Sequence, residues 1–144
     1  MPVNPIRSLR PFLSAGQYAA MIAGCRGEES AYFIKCVEDL TRLIDSMPVT
    51  YEQDGKGDQA VAHLHYFSAG SDWYITEKDM DGDIQQAYGY AILNGDDECA
   101  ELGYISIREL VQAGVELDLH FTPATLADIK AARARRLGPS PSPA

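Results

Sequence analysis

The chain has 144 residues, of which 46% are hydrophobic and 23% charged, and its formal net charge is −9. This composition is enough to bury the core of one domain, while no apolar run reaches the roughly 18 residues of a membrane span. The amino terminus lacks the apolar segment of a secretory signal, and the acidic balance disfavours direct binding to phosphate-rich nucleic acid.

In the first third of the chain, apolar residues recur at the spacing of a helix. Residues 1–12 have no periodic pattern, and we expect a flexible arm there. Ser14 with Gln17 forms a capping box at the start of a short amphipathic helix. A second, longer helix begins near Gly27 and stops at Pro48. Its apolar stripe, spaced by three and four residues, consists of Phe33, Val37, Leu40, Ile44 and Met47.

After a loop over residues 51–58 the apolar period changes to two, which is typical of strands. Four strands are predicted, separated by turn residues. They begin at Val61, Trp73, Tyr88 and Leu102.

The last third of the chain adds a short helix, a strand and a final helix. Ser106 caps the short helix and Gly114 closes it. Alternating apolar residues then predict a strand over residues 115–121, and Thr122 with Pro123 predicts the cap of the last helix. We expect a disordered tail over residues 138–144.

This succession predicts one α+β domain over residues 13–137. Its mostly antiparallel sheet of about five strands is flanked by two N-terminal helices, one short inserted helix and a C-terminal helix. Three scattered cysteines do not form a disulfide framework, so we expect reduced thiols in a cytoplasmic protein.

Three blocks of the sequence carry a resemblance to a known family. The blocks are DWYITEKD, AELGYISIREL and VELDLHFTP. With the residues between them they resemble a family of small proteins of unknown function that are encoded on plasmids, integrative elements and prophages of proteobacteria. The resemblance spans roughly residues 20–130 and implies no catalytic residues. It implies a mobile genetic element as the context, in which small acidic proteins often inhibit restriction or CRISPR complexes without catalysis.

The histidines are candidate metal ligands. His63 and His65 are two residues apart on one face of a strand, as two zinc ligands are, and His120 shares a face with Glu116 and Asp118. The alternative is ordinary strand histidines, and we predict no cofactor. A small metal-binding protein or hydrolase built on these side chains is the second function that the sequence allows.

Glu77 and Glu101 are a candidate carboxylate pair. Two carboxyl groups can perform general acid–base catalysis when they meet in one site. The alternative is that each lies at the end of a strand and contacts a nearby cation or backbone group. The chain has no nucleophile elbow, P-loop or dinucleotide-binding motif.

The preferred reading is a non-catalytic interaction protein that binds a protein complex, with no direct nucleic-acid or membrane contact. Acidic hairpin tips and strand tyrosines supply the candidate surface, because acids attract basic partners and tyrosines are common interface residues. The alternative is solvated turns and ordinary strand packing. The predicted partner-binding residues are Asp79, Asp81, Asp83, Asp96, Asp97, Glu98, Tyr74, Tyr88 and Tyr90.

Overall fold

The computed structural model describes residues 5–79 and 84–136. Its helices in these ranges are α1 (Pro5–Leu9), α2 (Ala15–Arg26), α3 (Ser30–Ser46), α4 (Ile107–Gln112) and α5 (Leu126–Arg136). Its strands are β1 (Val61–Ala62), β2 (Leu64–Ser68), β3 (Ser71–Glu77), β4 (Ala87–Ile92), β5 (Glu101–Ile105), β6 (Glu116–Leu117) and β7 (Ala124–Thr125). Short 3-10 turns occur at Arg10–Phe12, Gly57–Gln59 and Asp97–Cys99.

The main sheet has five strands in the order β5-β4-β3-β2-β6, and each neighbouring pair is antiparallel. A second, two-stranded sheet joins β1 to β7. The α+β class, the mostly antiparallel five-stranded sheet and the C-terminal helix are therefore confirmed. In the described part of the chain, no helix is long and apolar enough to cross a membrane.

Helices cover both faces of the main sheet. On one face, Leu64, Tyr66 and Ile75 belong to the larger apolar core together with residues of α2, α3 and α4. On the other face, α5 packs Leu126 and Ile129 into a smaller core that includes strand tyrosines. The alternation of side chains along each strand, which the sequence predicts, separates these two cores.

The segment predicted as a flexible arm has regular structure over residues 5–12. This segment forms α1 and a 3-10 turn, and Leu9 and Phe12 are buried against the core. The carbonyl of Phe12 accepts a 2.6 Å hydrogen bond from the hydroxyl of Tyr66, which is completely buried. Burial raises the pKa of Tyr66, so this hydroxyl remains a donor. Residues 1–4 lie outside the described residues.

The region after α4 differs from its predicted form. The strand predicted over residues 115–121 is paired only at Glu116–Leu117, because the Asp118 carboxylate accepts the backbone N–H of His120 at 2.9 Å and turns the chain. Thr125, not Thr122, caps the last helix, since its hydroxyl accepts the N–H of Asp128 at 3.1 Å. Residues 137–144, with the expected tail, lie outside the described residues.

The predicted cap at Ser14 is confirmed, but its partner has another role. The Ser14 hydroxyl accepts the Gln17 backbone N–H at 3.3 Å. The side chain of Gln17 does not return to the cap. It bonds the carbonyl of Leu117 at 2.7 Å and the N–H of Leu117 at 2.9 Å. This amide acts as a strand partner for β6 and fixes α2 to the sheet.

Two glycines that face each other across β4 and β5 give a matched test of this packing. A Cβ on Gly89 would collide with the carbonyl oxygen of Tyr74, whereas a Cβ on Gly103 would meet nothing within 4 Å. We expect Gly89→Ala to lower the free energy of unfolding by about 1–3 kcal/mol. Gly103→Ala should change it by less than about 0.5 kcal/mol. Urea unfolding followed by circular dichroism measures both, and equal effects would contradict the close approach at Gly89.

Candidate functional site

A β-bulge at the end of β3 determines which side chains share a face. Ile75 pairs with Gly89 of β4. The next pair is Glu77 with Tyr88, so Thr76 is an extra residue. Side chains alternate along a strand, and a one-residue insertion moves the following side chain to the other face. The bulge therefore turns Glu77 away from the larger core, to the face that Tyr88 occupies.

A pocket of about 270 Å³ lies above this bulge. Strands β3, β4 and β5 supply its floor and one wall, through Thr76, Glu77, Tyr88, Leu102 and Tyr104. The segment between α3 and β1 forms the opposite wall. It contributes Thr50, Tyr51, Gln53, Asp54, Gly55, Gly57 and Ala60. We call this cavity the bulge pocket.

Glu77 places a buried carboxylate in the bulge pocket. Its side chain is only 3% exposed. One carboxylate oxygen accepts the backbone N–H of Gln53 and the other accepts the hydroxyl of Thr76, both at 3.1 Å. No cation pairs with it among the described residues. The neighbouring ammonium of Lys78 is directed elsewhere, to the carbonyl of Ile44 at the end of α3, at 2.6 Å.

Gln53 fixes the wall opposite the sheet. Its side-chain amide donates to the carbonyls of Val61 and Thr76, at 2.9 and 2.8 Å, and its side-chain oxygen accepts the N–H of Val61 at 2.7 Å. Two residues earlier, Tyr51 has a φ of 79°, which is uncommon for a residue with a side chain. Backbone strain of this kind often occurs at functional sites. The wall is thus tied to β1 and β3 while Tyr51 is held at the rim.

Two tyrosines form the outer rim of the bulge pocket. Tyr51 and Tyr104 are each 59% exposed, and their hydroxyls lie 2.6 Å apart. This hydrogen bond is the main cause that raises the pKa of Tyr104. Further in, the ring of Tyr88 stands edge-on to that of Tyr104, with centroids 5.6 Å apart. Aromatic faces beside a buried carboxylate are the chemistry that holds an organic cation.

The acidic residues predicted to bind a partner have mixed roles. Asp97 is held by Arg133, which donates to its two oxygens at 2.9 and 3.0 Å and to Asp72 at 3.1 Å. The Arg133 guanidinium lowers the pKa of Asp97, and Asp97 in turn raises the pKa of Arg133. Asp97 therefore supports the fold by joining the β4–β5 connection to α5.

The other predicted acids do not form one face. Asp79 is buried and accepts a backbone N–H from the segment before β4. Asp96 is exposed and caps the following 3-10 turn. Glu98 is exposed at the same turn. Asp81 and Asp83 lie outside the described residues.

Two of the three tyrosines predicted to bind a partner do not reach the surface. Tyr74 and Tyr90 are buried, with 4% and 8% of their surface exposed, in the smaller core beneath α5. Tyr88, by contrast, lines the bulge pocket. Three exposed tyrosines lie outside the predicted partner-binding set: Tyr32, Tyr51 and Tyr104. Of the two at the rim, Tyr104 falls on a predicted strand, whereas the sequence offers less for Tyr51. It follows Pro48 and the end of the predicted helix, and an aromatic residue there was the only available signal.

The three candidate histidines do not converge. His65 lies between Asp72 and Asp118, whose carboxylates are 2.7 and 3.1 Å from its two ring nitrogens. His63 is partly buried with no partner for its Nδ1 atom, and burial lowers its pKa. His120 is exposed, and its ring stacks on that of Tyr32 in α3. Within residues 5–79 and 84–136, no three His, Cys, Asp or Glu side chains are grouped to hold a metal ion.

The two carboxylates considered as a catalytic pair also lie apart. Glu77 pairs with Tyr88 and lines the bulge pocket, whereas Glu101 is exposed, pairs with Ala91 and does not line that pocket. Strand β4 separates them. The structure therefore does not bring the two carboxylates together, because the neighbour of Glu77 across the bulge is Tyr88.

The chain matches no protein-family model, no curated protein and no solved structure. The chemistry of the bulge pocket and its rim is therefore the basis for any functional conclusion.

The contact between Asp97 and Arg133 makes stability depend on pH. A carboxylate with a lowered folded pKa stabilises the fold above its unfolded pKa, near 4, and this contribution is lost as the pH falls through the folded value. We expect Asp97→Asn to cost about 1 kcal/mol at pH 7, since the pair is partly exposed, and close to nothing near pH 2. Thermal unfolding across pH 2–7 measures the difference.

Asp96→Asn is the matched control, because asparagine caps a helical turn about as well as aspartate. It should shift the unfolding temperature little at any pH. An Asp97→Asn penalty that stays constant down to pH 2 would contradict the ion-pair interpretation.

Proposed function

We propose that this protein is a non-catalytic binding protein that acts by stoichiometric attachment to a protein complex. The observation that carries the proposal is the rim of the bulge pocket, where Tyr51 and Tyr104 are each 59% exposed and joined through their hydroxyls. Tyrosine is a frequent energetic centre of protein interfaces because it buries a large area at low entropic cost. Side chains fixed before binding lose little further freedom on docking.

The strand that carries one of these tyrosines supports the same reading. Strand β5 pairs only with β4 and is therefore an edge strand among the described elements. Natural proteins usually protect sheet edges with charge or cover. Here Leu102 and Tyr104 are both exposed on the edge strand, next to Tyr51. An apolar edge of this kind is typical of a surface that a partner covers.

The charge around the rim favours a basic partner. Asp54 is exposed and lines the bulge pocket beside the two tyrosines. With a net charge of −9, the chain attracts positively charged surfaces and repels acidic ones. Complementary charge of this kind guides association and selects the partner.

The family resemblance supplies the context of the proposal. On a mobile genetic element, the basic partner is a host nuclease or CRISPR effector complex, whose nucleic-acid-binding surfaces carry clustered lysines and arginines. Binding there competes with nucleic acid and inhibits the complex without chemistry. In this proposal the protein acts in the cytoplasm, where such complexes work.

The proposal is tested by affinity capture with purified tagged protein from a bacterial lysate that contains intact defence systems. We expect a nuclease or CRISPR complex to be retained in stoichiometric amount and its cleavage of DNA to fall when the purified protein is added. The double variant Tyr51→Ser, Tyr104→Ser should lose the complex, since removal of interface tyrosines typically weakens binding by more than about tenfold.

Tyr32→Ser is the matched control, because Tyr32 is also exposed, at 47%, but lies on α3 away from the rim. It should retain the complex and the inhibition. Capture that survives the double rim variant, or a captured complex whose cleavage is unaffected, would overturn the proposal.

A further inference from the structure

We infer that the bulge pocket binds a primary alkylammonium group, which pairs with the Glu77 carboxylate between tyrosine rings. The inference rests on the proposed function in one respect only, since a lysine side chain of the bound partner is then the natural source. The chemistry of the pocket does not depend on that source. A free diamine presents the same group.

The first argument is the uncompensated charge of Glu77. A carboxylate removed from water is normally paired with a cation, because burial of an isolated charge is costly. The donors that reach Glu77 are a backbone N–H and a neutral hydroxyl, and the nearest lysine in sequence, Lys78, donates to the end of α3. The carboxylate lines an open pocket, so a cation from outside can reach it.

The second argument is the pair of aromatic rings that lines the pocket beside Glu77. The rings of Tyr88 and Tyr104 stand nearly perpendicular, at 84°, and both line the bulge pocket with Glu77. Ammonium ions are attracted to aromatic faces by the ring quadrupole. The side chain of Leu102 adds an apolar surface for the aliphatic stem of the ligand.

The third argument is an arrangement of the same kind elsewhere in the protein. The ammonium of Lys130 lies 4.8 Å from the ring centroid of Tyr90 and 2.6 Å from a carboxylate oxygen of Asp58. Tyr90 is two residues from Tyr88 on β4, so both rings project from the same face of the strand. The sheet thus already holds one lysine ammonium between a tyrosine and an acid. The bulge pocket has the tyrosine and the acid without the lysine.

An ammonium fits better than a guanidinium. Arginine binds a carboxylate most strongly through two parallel hydrogen bonds, one to each oxygen. One Glu77 oxygen accepts the Gln53 N–H, and the other lies 3.1 Å from the Thr76 hydroxyl, which is also 3.1 Å from the Tyr88 carbonyl oxygen. A guanidinium would have to use the second acceptor site of both carboxylate oxygens at once. A compact ammonium needs only one of the remaining acceptor sites. The pocket volume of about 270 Å³ accommodates such a group with part of its stem.

The inference is tested by titrating ¹⁵N-labelled protein with Nα-acetyl-lysine N-methylamide and following backbone amide chemical shifts. We expect saturable shifts centred on the amides of Gln53, Glu77 and Tyr104. The Nε-acetylated analogue, which has no charge, should bind at least about tenfold more weakly, and the arginine analogue should also bind more weakly. Shifts that never saturate, or that spread over all exposed acids, would overturn the inference.

Two variants test whether the ligand binds in the bulge pocket. Glu77→Gln keeps the shape but removes the charge, and it should weaken binding by about tenfold or more. Tyr104→Leu removes one exposed ring and should weaken binding roughly two- to fivefold. Tyr104 is exposed and outside the core, so this variant keeps the test decisive if Glu77→Gln does not fold. Unchanged affinity in either folded variant would contradict the assignment.

Tyr32→Leu is the control, since it removes an exposed ring that is distant from the pocket, and its affinity should equal that of the parent protein. A parallel titration with 1,5-diaminopentane separates the two sources of the ammonium. Tighter binding of the lysine derivative indicates a protein partner, and tighter binding of the diamine indicates a free polyamine. Because these probes are small molecules, the titration can succeed when capture of a defence complex fails, and the reverse also holds.

Discussion

The pairing of β3 with β4 is the constraint on which the rest of the structure depends. Strand β3 lies in the middle of the sheet and pairs with β2 on one side and β4 on the other. Gly89 allows the β4 backbone to approach Tyr74 more closely than a side chain would permit. One register step later, the bulge at Thr76 turns Glu77 to the other face. A regular β3 would direct this carboxylate into the larger apolar core, where its burial is costly.

Acidic residues on the α5 face of the sheet have two kinds of partner. Near α5, Arg133 neutralises Asp72 and Asp97, and His65 lies between Asp72 and Asp118. These acids join the strands, the β4–β5 connection and the last helix. At the bulge, by contrast, Glu77 accepts hydrogen bonds from a backbone N–H and a hydroxyl, and no cation of the described ranges pairs with it. The net negative charge of the chain is therefore partly structural.

This division changes how the tyrosines of the strands are interpreted. Tyr74, Tyr88 and Tyr90 are all strand tyrosines in the same alternating pattern. Helix α5 nevertheless covers Tyr74 and Tyr90, whereas Tyr88 lines an open pocket. Tyr51 reaches the same pocket from a segment with no strand pattern at all. Exposure was decided by the position of the last helix and by the loop that Gln53 fixes to β1 and β3.

The sequence by itself determined the α+β class, the long helix α3, the four central strands and the caps at Ser14 and Ser106, because these follow from local periodicity and short-range hydrogen bonds. Only the tertiary structure decided three other features. The segment before α2 lies against the core, where Leu9 and Phe12 are buried and Tyr66, far along the chain, donates a hydrogen bond to the carbonyl of Phe12. Glu77 pairs with Tyr88 because of a β-bulge, and no pattern in the sequence predicts that bulge. The histidines lie apart. Their strand neighbours and ion-pair partners are distant in the sequence, so the spacing of the histidines along the chain does not predict them.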